Sequence, residues 1–483
     1  MIRMNRCLYS PIVRGLGASV NSSLPYSRGA LNASVSVLNN TVFLYFRGHD
    51  KNNVKSIMVW QRVLSNFIID GKNWYQPDGN PVIEPTSGGA DSKGCLNPTT
   101  CVFDGKIYMY YVGIDNSDVS KILLATSSDG ITFTKQGATN LPGHGGVFVV
   151  DDTVYAVFNN GVQSTGGYDL WLSHSSNGTD FSTPTRIIGV SGESVWDGKS
   201  IVTCRCYYKK PYAYMFYAAS EDFADYNEGF GLARSHEDSD FLVWEKHPDN
   251  PIYLRGGSGS WDSAGLWSPS LLHLKNRGLV FYEGVGIDSA NPGGTDENEC
   301  RDTPYYKYDE KSFSSVGVGE LNSFDYENVW RSSFPVGKYL LRNVATGMYV
   351  SCEDRQTEIV NNVFPQIVLT KEPNETSTWN VSKSTRGAFA VFKSKSNLAI
   401  SVFDGNYGTQ TNAKIGLTNF DGTRNLSLFM LYEKENNIFS IQSRRSGLFF
   451  ASYGSSSCDG VYLNQELEFN SPYQLFEFIK LDS

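Results

Sequence analysis

Three aspartates occupy one position of a recurring pattern. Asp91 lies in GADSKGCLNPTT, Asp197 in ESVWDGKSIVTC and Asp262 in GSWDSAGLWSPS, each six residues ahead of Asn97, Thr203 and Ser268 respectively. Glu193 and Glu283 lie near two of these stretches, and a long acidic, glycine-rich segment carries Asp296, Glu297 and Glu299. Carboxyl groups working in pairs do acid/base chemistry: one donates a proton while the other activates water or attacks carbon. Asp91, Asp197, Asp262, Glu193 and Glu283 are therefore the candidate catalytic acids. The competing reading is structural, because an Asp repeated at one place in a repeat also serves to bond the backbone amides of its own turn.

These residues sit in a repeated supersecondary unit. The stretch GSWDSAGLWSPSLLHLKNRGLVFYEGV, starting at Gly259, has an aromatic-Asp start, a Ser-Pro step, an alternating strand, a turn and a second strand ending in Phe-Tyr. GADSKGCLNPTTCVFDGKIYMYYVG and ESVWDGKSIVTCRCYYKKPYAYMFYAAS follow the same order, and RGALNASVSVLNNTVFLYFRG and GHGGVFVVDDTVYAVFNNG are fainter copies. Outer hairpins recur as LLATSSDGITF and LWLSHSSNGTDF, whose Asp-Gly and Asn-Gly turns reach positive φ at little cost. About five copies at a period of roughly 45 to 65 residues predict the blades of a β-propeller, none able to bury its faces alone. The apolar piece CLYSPIV near the start is a candidate closing strand for the last blade.

Beyond residue 334 the pattern changes to a threefold echo: GKYLLRNVATGMYVSCED, GAFAVFKSKSNLAISVFDG and NIFSIQSRRSGLFFASYGS. Repeats of about 45 to 50 residues with short strands predict a β-trefoil, and no segment has a helical period. The expected fold is thus all-β, with a five-bladed propeller over 1–325 and a trefoil over 334–483.

Bulk properties narrow the function classes. The chain has 483 residues, too many for one ordinary core, and a formal net charge of -9, which leaves no overall basic footprint for nucleic acid. No apolar run approaches the roughly 20 residues that span a bilayer. The start MIRMNRCLYSPIVRGLG lacks the apolar stretch and cleavage site of a signal peptide; an extracellular location is expected, by another export route or with a replaced leader, the alternative being a protein that stays inside the cell. The eight cysteines show no metal spacing and read as buried thiols, with a disulfide the less favoured alternative. A monomer is expected.

The propeller copies resemble the five-bladed glycoside hydrolases of the family 43 and family 32 group. LNPTTCVFDGKIYMYYVG and WSPSLLHLKNRGLVFYEG carry the group's inner-strand form, and SSDGITF its outer turn. The resemblance spans about residues 28 to 320. The C-terminal repeats resemble ricin-type sugar-binding trefoils, with Trp379, Phe429 and Phe476 at the closing aromatic position. This pairing implies a carbohydrate polymer or glycan as partner, with arabinose, galactose or xylose units expected. It implies no cofactor, with a structural Ca²⁺ in the channel left open.

Hydrolysis of a glycosidic bond uses two carboxyl groups. The resemblance implies acids at the starts of the inner strands, and counting back from each inner turn places those positions near Asn32, Asn97, His144, Thr203 and Ser268. None is a carboxylate. Two readings follow: a hydrolase whose acids have moved to the Asp91, Asp197 and Asp262 positions, or a lectin-like binder on a hydrolase scaffold. Asn32, Arg47, Asn97, His144, Arg205 and Trp267 are the candidate substrate-binding residues. A buried Arg47 or Arg205 implies an anionic or polyhydroxyl partner, or else a salt bridge between blades. Trp261 and Trp267 either stack on a sugar face or pack between blades. In the trefoil, Asp354, Asp404 and Asp459 are the candidate sugar-binding aspartates implied by the ricin resemblance.

Overall fold

The computed structural model describes residues 1–15, 23–66, 74–161, 168–192, 194–221, 227–257, 259–274, 277–287, 312–322, 330–353, 365–402, 411, 413, 415–419, 425–452 and 458–482. Among them are β-strands and a few single 3₁₀ turns but no α-helix. Five antiparallel sheets follow one another along the chain. Their inner strands are Gly29–Leu38, Gly94–Phe103, Gly145–Val150, Ser200–Lys209 and Gly265–Leu274. Each inner strand packs against those of the blades before and after it, and the fifth returns to the first, so a five-bladed propeller closes around a channel.

The ring is latched by the two ends of the propeller chain. Met4–Arg6 pairs with Ser312–Leu321 as the outermost strand of blade five. The closing strand therefore precedes CLYSPIV, the piece expected to supply it. That piece runs beside the same strand with isolated bonds, such as Cys7 N–H to the Val318 carbonyl at 3.0 Å. Pro11 in its middle has no N–H to extend a ladder.

The recurring outer turns explain how adjacent blades register. In blade two, Ser127 Oγ donates to Asp129 and accepts from the Gly130 N–H, and Gly130 has φ 80°. The Gly130 carbonyl then accepts from Tyr45 Oη of blade one at 2.8 Å. Blade three repeats this with Ser175, Asn177 and Gly178, whose carbonyl accepts from Tyr110 of blade two at 2.9 Å. A Cβ on Gly130 would lie 2.5 Å from the Phe43 ring, so both the turn and the close approach require glycine.

Beyond the propeller, twelve strands form one sheet. Six of them, Gly337–Asn343, Thr378–Lys383, Ala390–Lys393, Phe429–Glu435, Ile438–Ser443 and Phe476–Lys480, pair in cyclic order and close into a ring. The other six form three hairpins between them. Trp379, Phe429 and Phe476 are all buried in the core so formed.

The two parts share a continuous apolar cluster that includes Trp196, Tyr217 and Leu254 from blade four and the segment leading into it, with Phe389, Tyr432 and Phe449 from the C-terminal sheet. Charge locks the same contact. The fully buried Arg444 guanidinium sits between Glu221 and Glu228, at 2.5 and 2.6 Å. Arg3 threads its guanidinium among the carbonyls of Leu431, Asp249, Pro251 and Ala388, which belong to both parts.

Candidate functional site in the propeller channel

A bulge in the inner strand builds the site. In blades one, two and five, two residues oppose a single partner: Asn32 and Ala33 face Phe46, Asn97 and Pro98 face Tyr111, and Ser268 and Pro269 face Tyr282. Asn32, Asn97 and Ser268 adopt φ of 52°, 50° and 51°, a left-handed conformation that Asn tolerates better than most side chains. Blade four has a one-residue bulge at Val202, next to Thr203. Such bulges re-aim side chains out of the regular alternation.

The re-aimed groups meet from blade to blade. Asn32 donates to Glu283 Oε2 from its backbone N–H at 2.9 Å and its side-chain amide at 3.0 Å, and to Ser268 Oγ at 3.2 Å. Ser268 N–H donates to Thr203 Oγ1 at 2.9 Å. Arg205 of blade four reaches the carbonyls of Gly145 in blade three and Pro98 in blade two, at 3.2 and 2.9 Å. On the other side, Arg47 donates to Asn97 Oδ1 at 3.2 Å and Asn97 contacts His144 Nε2 at 3.2 Å. Asn32, Arg205, Ser268 and Glu283 are buried and form the floor, while Arg47, Asn97, His144 and Trp267 are partly exposed above it.

Burial sets the charges in this channel. Glu283 is held above the ordinary carboxylate range by desolvation, which outweighs the pull of Arg47, the Asn32 N–H, Ser314 and Arg205. Burial, with Arg205 and Arg47 nearby, pushes the His144 imidazole down to about 4, so it is neutral at pH 7. Arg205, lowered by burial to about 10, remains a cation. Among the described residues, the centre thus holds one buried acid, two guanidinium groups and a neutral imidazole. That donor set does not fit Ca²⁺, which takes six to eight oxygen ligands. No group of three or more metal-ligating side chains occurs among the described residues.

The three repeated aspartates occupy a different arrangement. Each accepts from a tyrosine twenty residues further on and pairs with a cation of the outermost strand of its own blade. Asp91 meets Tyr111 Oη at 2.9 Å and Lys135 at 2.6 Å. Asp197 meets Tyr217 Oη at 3.2 Å and Lys246 at 2.7 Å. Asp262 meets Tyr282 Oη at 3.2 Å and Arg6 at 2.7 and 2.8 Å. Asp91 also accepts from the Thr86 N–H at 3.0 Å. Although burial alone would raise its pKa, the hydrogen bonds from Lys135, Tyr111 and Thr86 hold it below the ordinary range. Each carboxylate ties the segment leading into a blade to that blade's second and outermost strands.

Of the other expected residues, Trp261 packs on Tyr282 with ring centroids 5.3 Å apart, over Gly284 and Gly317. Trp267 lies partly exposed across from Glu283 in the ladder. Asp459 accepts from the Lys371 N–H at 2.6 Å. Glu193, Asp296, Glu297, Glu299, Asp354 and Asp404 lie outside the described residues. Among the seven described cysteines, Cys7, Cys95, Cys101, Cys204 and Cys206 are free thiols. No helix among the described residues is long and apolar enough to cross a membrane. The sequence reading missed the tyrosine and cation partners of the three aspartates. The twenty-residue Asp–Tyr spacing, present three times, was the available signal.

Comparison with known proteins gives one family match and several similar solved structures. The family model described as the glycosyl hydrolases family 32 N-terminal domain matches residues 17–227. No curated protein matches the sequence. Among solved structures, an N-acetylgalactosamine deacetylase from F. plautii is similar at 17% identity, covering 66% of this chain and 96% of its own, with a TM-score of 0.48. A beta-1,2-mannobiose phosphorylase from Listeria innocua gives 14%, 66%, 96% and 0.47 for the same quantities. An exo-beta-1,3-galactanase from Clostridium thermocellum gives 14%, 99%, 100% and 0.40. The N-terminal part is a glycoside hydrolase-like five-bladed propeller.

Proposed function

We propose that this chain is a carbohydrate-binding protein on a propeller of the glycoside hydrolase type, with the C-terminal strands forming a β-trefoil that serves as a second sugar-binding module. One observation carries the reading. The inner-strand positions of the channel are Asn32, Asn97, His144, Thr203 and Ser268, hydrogen-bonding groups without a carboxylate among them. Amides, hydroxyls and guanidinium groups around a partly exposed Trp267 suit the hydroxyls and apolar face of a sugar. The trefoil assignment is supported by the closed ring of six strands with three hairpins, and by its buried aromatic at the same place in each repeat.

A second reading, hydrolysis with Glu283 as proton donor, is favoured by that residue's raised pKa, the usual setting for a general acid. It needs a partner acid, and Asp91, Asp197 and Asp262 are each engaged by a cation and a tyrosine.

Release of reducing sugar from arabinan, galactan, xylan and fructan, run beside pull-down on the same insoluble polymers, separates the two. Binding without release is the expected result. Release that vanishes in Glu283→Gln would replace the binding reading with the hydrolytic one. Absence of both binding and release would end the carbohydrate reading.

A further inference from the structure

A second concave site lies at the far ends of the inner strands. A pocket of about 430 Å³ opens where the inner turns of blades two and three meet the outer turn of blade three, lined by Phe103, Asp104, Tyr108, Asp151, Asp152 and Asn177 among others. The channel bulge at Asn97 falls near the start of Gly94–Phe103, whereas this pocket begins at its last residue. The volume is that of a small-ligand site.

The walls are built locally. Asp104 and Gly105 make a tight turn with φ of 48° and 67°, and Asp151 turns blade three with φ of 50°. Across the first hairpin Tyr108 packs edge-on against Phe103, with ring centroids 5.1 Å apart and planes at 81°. The outer turn of blade three closes over the ring, since a Cβ on Gly178 would lie 2.9 Å from Tyr108 Cε1. That turn is itself pinned: Ser175 Oγ accepts from the Gly178 N–H and Tyr110 Oη donates to the Gly178 carbonyl, both at 2.9 Å. Asn177 spends its amide inside the turn, accepting from the Thr179 and Asp180 N–H groups at 2.9 Å and donating to Asp180 at 2.8 Å. The partly exposed Tyr108 ring is thus fixed between two blades, which lowers the ordering cost of a ligand laid on it.

The inner turns set this pair of blades apart. The corresponding turn is Asn39-Asn40 in blade one and Lys210-Pro211 in blade four, whereas blades two and three present Asp104, Asp151 and Asp152. All three side chains are exposed. Burial, with Asp104 and Cys101 nearby, raises the Tyr108 pKa, so its hydroxyl stays a donor at neutral pH. A carboxylate can accept from two hydroxyls at once, and an aromatic face covers the apolar face of a sugar ring.

We infer that this pocket is a further saccharide site on the propeller, holding one neutral sugar unit stacked on Tyr108, with its hydroxyls donating to Asp104, Asp151 and Asp152. The inference takes its ligand class from the carbohydrate reading above and places it at a site that reading does not use.

Titration calorimetry on the full chain with oligosaccharides of arabinan, galactan, xylan and fructan tests it, beside hydrogen exchange at the turn amides of 102–106 and 149–153. At least one oligosaccharide should bind and slow exchange in both turns. Tyr108→Ala should weaken that binding about tenfold by removing the stacked ring. Asp151→Asn should weaken it about threefold through loss of a charged acceptor. Asn adopts the left-handed conformation of Asp151, so this variant keeps the test available if the first does not fold. Binding that protects neither turn and is unchanged in both variants would overturn this inference and leave the carbohydrate reading standing through its other sites. Binding of none of the four would overturn both. Calcium chloride titrated alone should give no heat that Asp151→Asn removes; such heat would overturn the sugar assignment by making the pocket a cation site.

Discussion

The aspartates leading into the blades and the residues of the channel use charge in opposite ways. Each described lead-in acid has its own cation and its own tyrosine, so the charge is spent inside the blade. Among the described residues of the channel, Arg47 and Arg205 both act on Glu283, an acid that burial keeps toward neutrality. A buried pair of the lead-in kind fixes geometry. The repeated acids are each engaged by a tyrosine and a cation of their own blade, while the described channel residues are mainly amides, hydroxyls and cations.

Removing the lead-in acids should therefore damage the fold, by an amount that follows how well solvent reaches the stranded cation. The side chains of Arg6, Lys246 and Lys135 are 15%, 26% and 32% exposed. Asp262→Ala leaves Arg6 with the more distant Glu468, at 3.4 Å, and takes the acceptor from two buried tyrosine hydroxyls, so it should cost about 3 kcal/mol, the low end of the range for breaking a buried pair from one side. Asp197→Ala should cost less, and Asp91→Ala about 1–2 kcal/mol, because water partly replaces the lost partner of Lys135. Urea unfolding of the three variants checks the order. A flat series, or one in which Asp91→Ala is worst, would break the proposed distinction between lead-in acids and channel.

The blades were legible in the sequence because their turns are written locally. Asp-Gly and Asn-Gly at fixed distances from Tyr-rich strands define each hairpin without help from distant residues. Counting back from the inner turns reached Asn32, Asn97 and Ser268, which do lie at bulges. In blade four the bulge is shorter and falls on Val202, so the count reached its neighbour Thr203. The lead-in acids were harder to read. Tyr111, Tyr217 and Tyr282 recur at a constant spacing, but Lys135 and Lys246 follow their acids by 44 and 49 residues, and Arg6 comes from 256 residues away at the other end of the chain. The grouping of Arg28, Arg47 and Lys55 left no local trace, since they come from three strand ends that only the folded blade brings together.

Glu283, the buried acid described in the channel, offers a pH test of the contrast. Glu283 has a folded pKa above its ordinary value of about 4.3. Its contribution to stability is therefore fully present below that ordinary value and is lost as pH rises through the raised one. Glu283→Gln keeps an oxygen to accept from Asn32 and removes the titration. The variant should be more stable than the parent at pH 7, with the gap closing toward pH 4. Thermal unfolding across that range reads it directly. A variant less stable than the parent at pH 7 would mean that Arg47 and Arg205 need the carboxylate, and that the channel is a balanced pair like the others.

The smallest effect on stability should come from Arg47→Gln. Arg47 is partly exposed, and its neighbours include Arg28 and Lys55 as well as Glu283. Arg47→Gln removes the attraction to one acid held toward neutrality and the repulsion of two cations, so the two changes oppose each other. The net shift should stay within about 0.5 kcal/mol, the range of ordinary surface substitutions. Lys55 should at the same time move back toward its usual pKa, because Arg47 contributes to its depression. Denaturation and a lysine titration followed by NMR measure both. A large loss of stability would show Arg47 to be a structural strut between blades, which was the other reading of a guanidinium in that strand. Unchanged stability with Lys55 restored would show that Arg47 acts on Lys55 through its charge rather than as a strut.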